Sequence, residues 1–186
     1  ASLTGFIDTL RGHAKDDPDA QERFLGIMSE QATRMRRLID DLLSLTRIEL
    51  NEHVRPSGSV NVSDVVEEVM NALSPVAIAA NVQLEIVEPS SLPNVVGDRD
   101  ELFQVVQNLV DNAIKYSAGA EGGAKVAVSI GKAPGAIRLG VADNGPGIPP
   151  EDRVQATERF VRLEKSRSQP GSGLGLSLAK AVMTFH

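Results

Sequence analysis

The sequence predicts an α+β fold, with a helical hairpin over the first fifty residues followed by a unit in which strands and helices alternate. Three observations carry this reading. Apolar residues recur at three- and four-residue spacing up to about position 50. A stretch holding Pro56, Gly58 and two serines then breaks that period. Beyond it, short alternating segments rich in valine and isoleucine are interleaved with helix-like ones.

Residues 1–13 read as a helix, with Leu3, Phe6, Ile7 and Leu10 on one stripe. Asp16-Asp17-Pro18-Asp19 makes a turn, and Asp17 or Asp19 caps a second helix over about 20–51. In that helix Met28, Met35 and Leu42 recur every seventh residue, with Ala32, Leu38, Ile39 and Leu45 between them. This is a narrow coiled-coil-like seam on an otherwise charged helix. Two helices alone cannot bury it, so a second copy is expected to complete a dimeric four-helix bundle. The alternative is that the seam packs against the rest of the same chain. The expected division is a hairpin over 1–52, a linker over 53–59 and a second domain over 60–186.

In the second domain a short strand near 59–62 leads into a helix over about 63–80, where Ser63 and Glu67 resemble an N-terminal cap pair. Val82–Val87 alternates as a strand, 98–116 reads as a helix, 125–130 and 136–142 as strands, and Gly173 onward as a helix. Residues 144–172 show no period and hold glycine, proline and charge, which predicts a functional loop. Residue 1 falls inside an amphipathic stripe, and no Gly or Pro comes after His186, so the chain is expected to continue on both sides.

Composition narrows the function. The chain has 186 residues, and hydrophobic residues at 41% with 24% charged are ordinary for a folded domain. A net charge of −6 argues against nucleic acid as a partner, because no basic surplus exists to displace phosphate counterions. The absence of cysteine excludes disulfides and thiolate metal sites. No apolar run approaches a membrane span, so this piece is expected to make no direct membrane contact.

Three polar segments predict a nucleotide pocket. In the helix over 98–116, Leu102, Val105, Val106, Leu109 and Ala113 form the apolar face. Asn108, Asn112 and Lys115 lie within about 60° of each other beside it. Two carboxamide oxygens one turn apart can ligate Mg²⁺, which takes hard oxygens and completes its shell with water and phosphate. Lys115 supplies a cation for phosphates. Asp143-Asn144-Gly145-Pro146-Gly147-Ile148 comes directly after a hydrophobic strand. A carboxylate there can accept the exocyclic amine of adenine, while Gly145 and Gly147 let the backbone pass close to the base. Asp-Asn-Gly is also ordinary turn chemistry. Gly171, Gly173 and Gly175 open the last helix, whose N-terminal amides attract phosphate. No Walker lysine is present after them, and the strand–helix context of a Rossmann motif is missing. Between these segments Phe160 is expected to anchor a mobile loop, and one of Arg159, Arg162, Lys165 and Arg167 to reach phosphate or the hairpin.

Together these residues resemble the catalytic core of sensor histidine kinases, the two-component signalling proteins, and among them class I. Asn108-Leu109-Val110-Asp111-Asn112-Ala113-Ile114-Lys115-Tyr116 is similar to the family's N box and Asp143 to Ile148 to its G1 box. Glu158-Arg159-Phe160 is similar to the F box, and Gly171-Ser172-Gly173-Leu174-Gly175-Leu176 to the G2 box. The resemblance covers nearly the whole chain. It implies a dimerisation and histidine-phosphotransfer hairpin followed by a Bergerat-type (GHKL) α/β sandwich that binds ATP and Mg²⁺. The implied ATP site is Asn108, Asn112, Lys115, Tyr116, Asp143, Gly145, Gly147, Ile148, Phe160, Arg162, Gly171, Gly173, Leu174, Gly175 and Leu176, with Asn112 and Asn108 on the metal. The implied partners are a second copy of the chain and a response-regulator receiver domain. The piece would be a cytoplasmic portion of a protein of a kind commonly anchored in the inner membrane.

One departure matters. The family's acceptor lies in a His-Glu-Leu-Arg-Thr-Pro-Leu segment, and Ala1-Ser2-Leu3-Thr4-Gly5-Phe6 resembles the residues immediately C-terminal to that segment. The phosphoacceptor is therefore expected before Ala1. His13, His53 and His186 are poor substitutes, since His13 lacks an acidic neighbour and lies near the hairpin turn, His53 falls in the linker and His186 ends the last helix. Two other functions fit the pocket class or the missing acceptor. A related Bergerat-fold ATPase would place a glutamate at the position of Asn108 to activate water. A nucleotide-responsive scaffold or pseudokinase would need no acceptor.

Overall fold

The computed structural model describes residues 3–12, 14–50, 56–87, 92–120, 122–162 and 172–186. The readings at His13, His53, Lys165, Arg167 and Gly171 fall outside them. Helices α1 (Leu3–Arg11) and α2 (Pro18–Leu50) form the hairpin. Asp17, not Asp19, is the cap of α2: its carboxylate accepts the Ala20 N–H at 2.9 Å. Pro18 takes the first helical position, where a missing N–H is harmless. The Gln21 amide reaches back to the carbonyls of Ala14 and Lys15 at 3.2 and 2.6 Å, closing the turn. Phe6 and Phe24 tie the two helices with ring centroids 5.8 Å apart.

The α2 helix carries two faces rather than one seam. Met35, Ile39 and Leu42 are exposed. Leu45 and Ile48 are buried against Val105 of the second helix in the chain's α/β unit and Leu178, Ala179 and Val182 of the last one. At 100° per residue, Leu45 sits about 90° from the line of Met28, Met35 and Leu42. The expected single seam is thus corrected: Leu45 belongs to an intramolecular face, while Met35, Ile39 and Leu42 lie on the other.

The α/β unit runs β1 (Ser59–Val60), α3 (Val62–Ala79), β2 (Val82–Val87), β3 (Val95–Val96), α4 (Arg99–Ser117), β4 (Ala124–Ala133), β5 (Ala136–Asp143) and α5 (Gly175–Phe185). Two 3₁₀ turns, Pro150–Asp152 and Gln155–Thr157, lie between β5 and α5. The main sheet has the order β2-β4-β5, with β2 parallel to β4 and β4 antiparallel to β5. A parallel pair needs a crossover, and α4 supplies it. β1 and β3 form a separate antiparallel pair, Ser59 opposite Val96 and Val60 opposite Val95.

Alternation decides the layers. Ala124, Val126, Val128 and Ile130 of β4 are buried, and the residues between them are half-buried or exposed. Their face meets Val65, Val66, Val69 and Leu73 of α3 and Val106, Val110, Ala113 and Ile114 of α4 in one core. The apolar face of α4 is wider than the sequence period indicated, because Val110 and Ile114 also turn inward. Ile114 is 2% exposed, so Ile114→Ala is expected to lose about 2–5 kcal/mol in a urea melt.

The cap pair at Ser63 and Glu67 is not formed. Asn61 caps α3 instead, its side-chain oxygen accepting the Ser63 N–H at 3.0 Å, so the helix starts at Val62. Asparagine is as good a cap as serine, and Asn61 already has the extended backbone a cap needs (φ −83°, ψ 111°). Among the described residues no helix is long and apolar enough to cross a membrane.

Candidate nucleotide-binding site

Helix α4 is the floor on which the polar segments meet. Asp98 starts it, accepting the N–H groups of Asp100 and Glu101 at 2.9 and 3.0 Å. With the helix rotated to bury Val105, Val106, Val110, Ala113 and Ile114, residues Asn108, Asn112 and Lys115 fall on its half-buried flank. Asn108 Nδ2 is buried with no hydrogen-bond partner. Such a group normally finds a partner, since leaving it unmade is unfavourable by about 1–3 kcal/mol. Lys115 Nζ lies 3.5 Å from Asp111 Oδ2, which also faces Arg37 of α2 at 3.7 Å.

The turn after β5 closes on the end of α4. Asp143 Oδ1 accepts the Gly145 N–H at 2.8 Å, the turn chemistry expected of Asp-x-Gly. An ionised carboxylate still has a second oxygen for a ligand. A Cβ on Gly145 would stand 2.5 Å from the Tyr116 carbonyl oxygen, so only glycine fits this approach. Asn144, to which the sequence assigned no role, ties the turn to the sheet by accepting the Lys125 N–H at 2.9 Å and donating to Gly123 O at 2.7 Å. Tyr116 and Ile148 are both exposed at this end.

The glycine-rich loop reaches the same helix from the other side. A Cβ on Gly175 would lie 3.4 Å from Asn108 Oδ1. Gly173 has φ 74°, and a Cβ there would lie 2.9 Å from Val161 O and 3.2 Å from the stem of Arg162. Two expectations change here. Phe160, a residue 61% exposed, does not anchor the loop by burying its ring; its backbone N–H does so, donating to Gly173 O at 3.0 Å. Phe160 adopts φ 61°, a left-handed conformation uncommon for a residue other than glycine. Leu174 is 1% exposed, so its side chain is core and only its backbone can meet a ligand. Leu176 is half-buried. α5 itself starts at Gly175, two residues later than the sequence suggested.

Contacts the sequence did not reveal join α2 to this site. Ser172 Oγ donates to Asp41 Oδ2 at 2.8 Å, and Gln104 Nε2 donates to Ser44 Oγ at 3.1 Å. Burial pushes the Asp41 carboxyl above its ordinary range, against the Ser172 hydrogen bond and Arg37, which pull it down. The signal was present as helical spacing of positions 37, 41, 44, 45 and 48, but its polar members read as a solvated face.

His186 is held as a structural group. Its side chain is 5% exposed, Nε2 accepts the Asp98 N–H at 2.9 Å, and Nδ1 donates to Val182 O at 3.1 Å. Burial and Asp98 push the nearby Glu101 carboxyl up, while His186 and Arg47 oppose this.

Comparison with known proteins agrees with this arrangement. Residues 1–51 match the His Kinase A (phospho-acceptor) domain, and 97–186 the histidine kinase-, DNA gyrase B- and HSP90-like ATPase domain. The sensor-like histidine kinase SenX3 of Mycolicibacterium smegmatis is 34% identical over 173 residues, covering 92% of this chain and 44% of the relative. The chain thus spans less than half of that protein. Among solved structures, the mycobacterial sensor histidine kinase MprB is 33% identical with a TM-score of 0.61, covering 69% of this chain and 81% of that one. The Acinetobacter baumannii histidine kinase AdeS is 26% identical with a TM-score of 0.70, covering 98% and 82%. With a hairpin of the phospho-acceptor type leading into an ATPase-type α/β unit, the chain belongs to the sensor histidine kinases.

Proposed function

We propose that this chain binds Mg-ATP between α4, the turn after β5 and the loop before α5, as the core of an ATP-dependent protein-histidine kinase in two-component signalling. The domain division of 1–52, 53–59 and 60–186 is part of this reading. The observation that carries it is the buried, unpartnered amide nitrogen Nδ2 of Asn108, beside Gly175 and one turn from Asn112. An orphaned N–H donor suits a phosphate oxygen, and the oxygen of the same carboxamide is of the hard kind that Mg²⁺ takes. The residues present therefore fit the metal, and Asn108 and Asn112 would hold it. Bound there, Mg²⁺ supplies charge neutralisation for the phosphate oxygens. Asp143 would read the adenine amine, and Lys115 would exchange Asp111 for phosphate. Gly145, Gly147, Gly173 and Gly175 keep the backbone close to the ligand, and Tyr116, Ile148 and Arg162 border it.

Both ring nitrogens of His186 are engaged, so it does not serve as the acceptor. With the acceptor expected before Ala1, as the family resemblance implies, the phosphoryl group would pass from it to an aspartate of a response-regulator receiver domain. Asn108 has no basic group with which to activate water, which favours the kinase over an ATPase. Calorimetric titration with ATP in the presence of Mg²⁺ is expected to give one site per chain, with no binding when Mg²⁺ is chelated. A chain that takes up no nucleotide under either condition does not have this function.

The exposed stripe of Met35, Ile39 and Leu42 is assigned to a second copy of the chain, completing a four-helix bundle. Ile39→Asp is expected to raise the dimer Kd at least tenfold, about 1.4 kcal/mol, read by sedimentation over a concentration series. A parent chain that stays monomeric at high concentration rules the bundle out.

A further inference from the structure

Residues 37, 41, 44, 45 and 48 form one stripe of α2, and every one of them engages the α/β unit: Arg37 faces Asp111, Asp41 accepts from Ser172, Ser44 accepts from Gln104, and Leu45 and Ile48 are buried in the shared cluster. Asp41 is the unusual member, a carboxylate only 8% exposed. Its partner Ser172 accepts the Leu174 N–H at 3.2 Å, and Leu174 is the cap residue of α5, which has no side-chain cap of its own. One hydroxyl therefore relays the charge of Asp41 to the positive end of that helix. The same end faces Asn108, where the phosphates of the nucleotide are assigned.

We propose that Asp41 is an inhibitory latch: its carboxylate, acting through Ser172, occupies the helix end that a triphosphate needs, so that docking of α2 and binding of Mg-ATP oppose each other. This rests on the nucleotide reading above. Two anions sharing one helix terminus repel, and the more strongly so in a water-poor setting. The groups facing Asp41 are Arg37 and Asp40 on its own helix, Asp111 on α4 and Ser172. Only Arg37 is cationic, and it is shared with Asp111. The buried carboxylate is thus under-compensated, and undocking returns it to water.

The test uses the whole chain. Asp41→Asn keeps an acceptor for Ser172 and removes the charge, and Asp41→Ala removes both. Each is expected to bind Mg-ATP about tenfold more tightly than the parent, within the usual range of coupling between two sites. A second measurement does not depend on those variants. The chain has no cysteine, so Ser44→Cys with Gln104→Cys can be joined by a short bifunctional thiol reagent that fixes α2 in place. The joined protein is expected to bind Mg-ATP at least fivefold more weakly than the same protein unjoined. Equal affinity for the parent, both Asp41 variants and the joined protein overturns the latch. If in that case the parent still binds and Asn112→Ala does not, the nucleotide site survives without it; a parent that binds no Mg-ATP overturns both.

Discussion

Replacing Asn112 with alanine is expected to weaken Mg-ATP binding by about 100-fold or more, roughly 2.7 kcal/mol, while leaving the melting temperature of the nucleotide-free protein unchanged. The two halves of this expectation have separate causes. Asn112 is half-buried on the polar flank of α4 and takes no part in the buried core. Alanine is the best helix former, so the helix itself does not suffer. The ligand loses one of the two oxygens assigned to the metal, and with it the means of holding the phosphates against Lys115. Asn112→Asp keeps an oxygen but adds charge beside the phosphates and Asp111, and is expected to fail as well. Calorimetry at fixed Mg²⁺ decides the matter, and affinity equal to the parent's removes Asn112 from the site.

Gly145→Val is expected to damage both the fold and the site. A Cβ at this position would stand 2.5 Å from the Tyr116 carbonyl oxygen, 2.9 Å from its carbon and 2.8 Å from Asp143 Oδ1. Two of these neighbours are backbone at the end of a helix and cannot swing aside. Relief requires the turn to move off α4, with a loss of about 1–3 kcal/mol, typical of overpacking. The same movement carries Asp143 away from the asparagines, so Mg-ATP binding should fall at least tenfold. Gly147→Ala is the control. Gly147 has φ 68° but open space where a Cβ would go in the nucleotide-free protein, so in the melt it should lose only the backbone strain, about 1–2 kcal/mol. A denaturant melt alongside the titration separates the two effects. If both variants behave alike, the close approach to Tyr116 is not what matters.

These positions also show why parts of the molecule were legible in the sequence. Val82–Val87 alternates with the strand period and is the strand β2. Asn108, Asn112 and Lys115 share a flank because the helix period fixes it once the apolar stripe is known. Asp143-Asn144-Gly145 and Gly173-Leu174-Gly175 carry local turn and cap chemistry that does not await the fold. Other features depend on partners far along the chain. β3 has only two residues, Val95 and Val96, too few to show alternation, and exists because β1 lies opposite. Asn61 displaced Ser63 as a cap because both are competent and the extended backbone falls on Asn61. Asp41 and Arg37 look like solvent-facing charges on a charged helix. Only the packing of Leu45 and Ile48, one to three turns further along, reveals that their side of the helix is covered.

The length of α2 has a mechanical result. Its 33 residues form a rod about 50 Å long, which meets the α/β unit along the stretch from Arg37 to Ile48. The stripe around Met35, Ile39 and Leu42 and the stripe around Asp41 ride on that one rod, on opposite sides of its axis. A twist of about 20° moves a side-chain tip at its rim by about 2 Å, comparable with the margin of one hydrogen bond. Torque applied at the exposed side is therefore geared to the contact with Ser172, so a turn of the axle too small to unfold anything can still part the two oxygens.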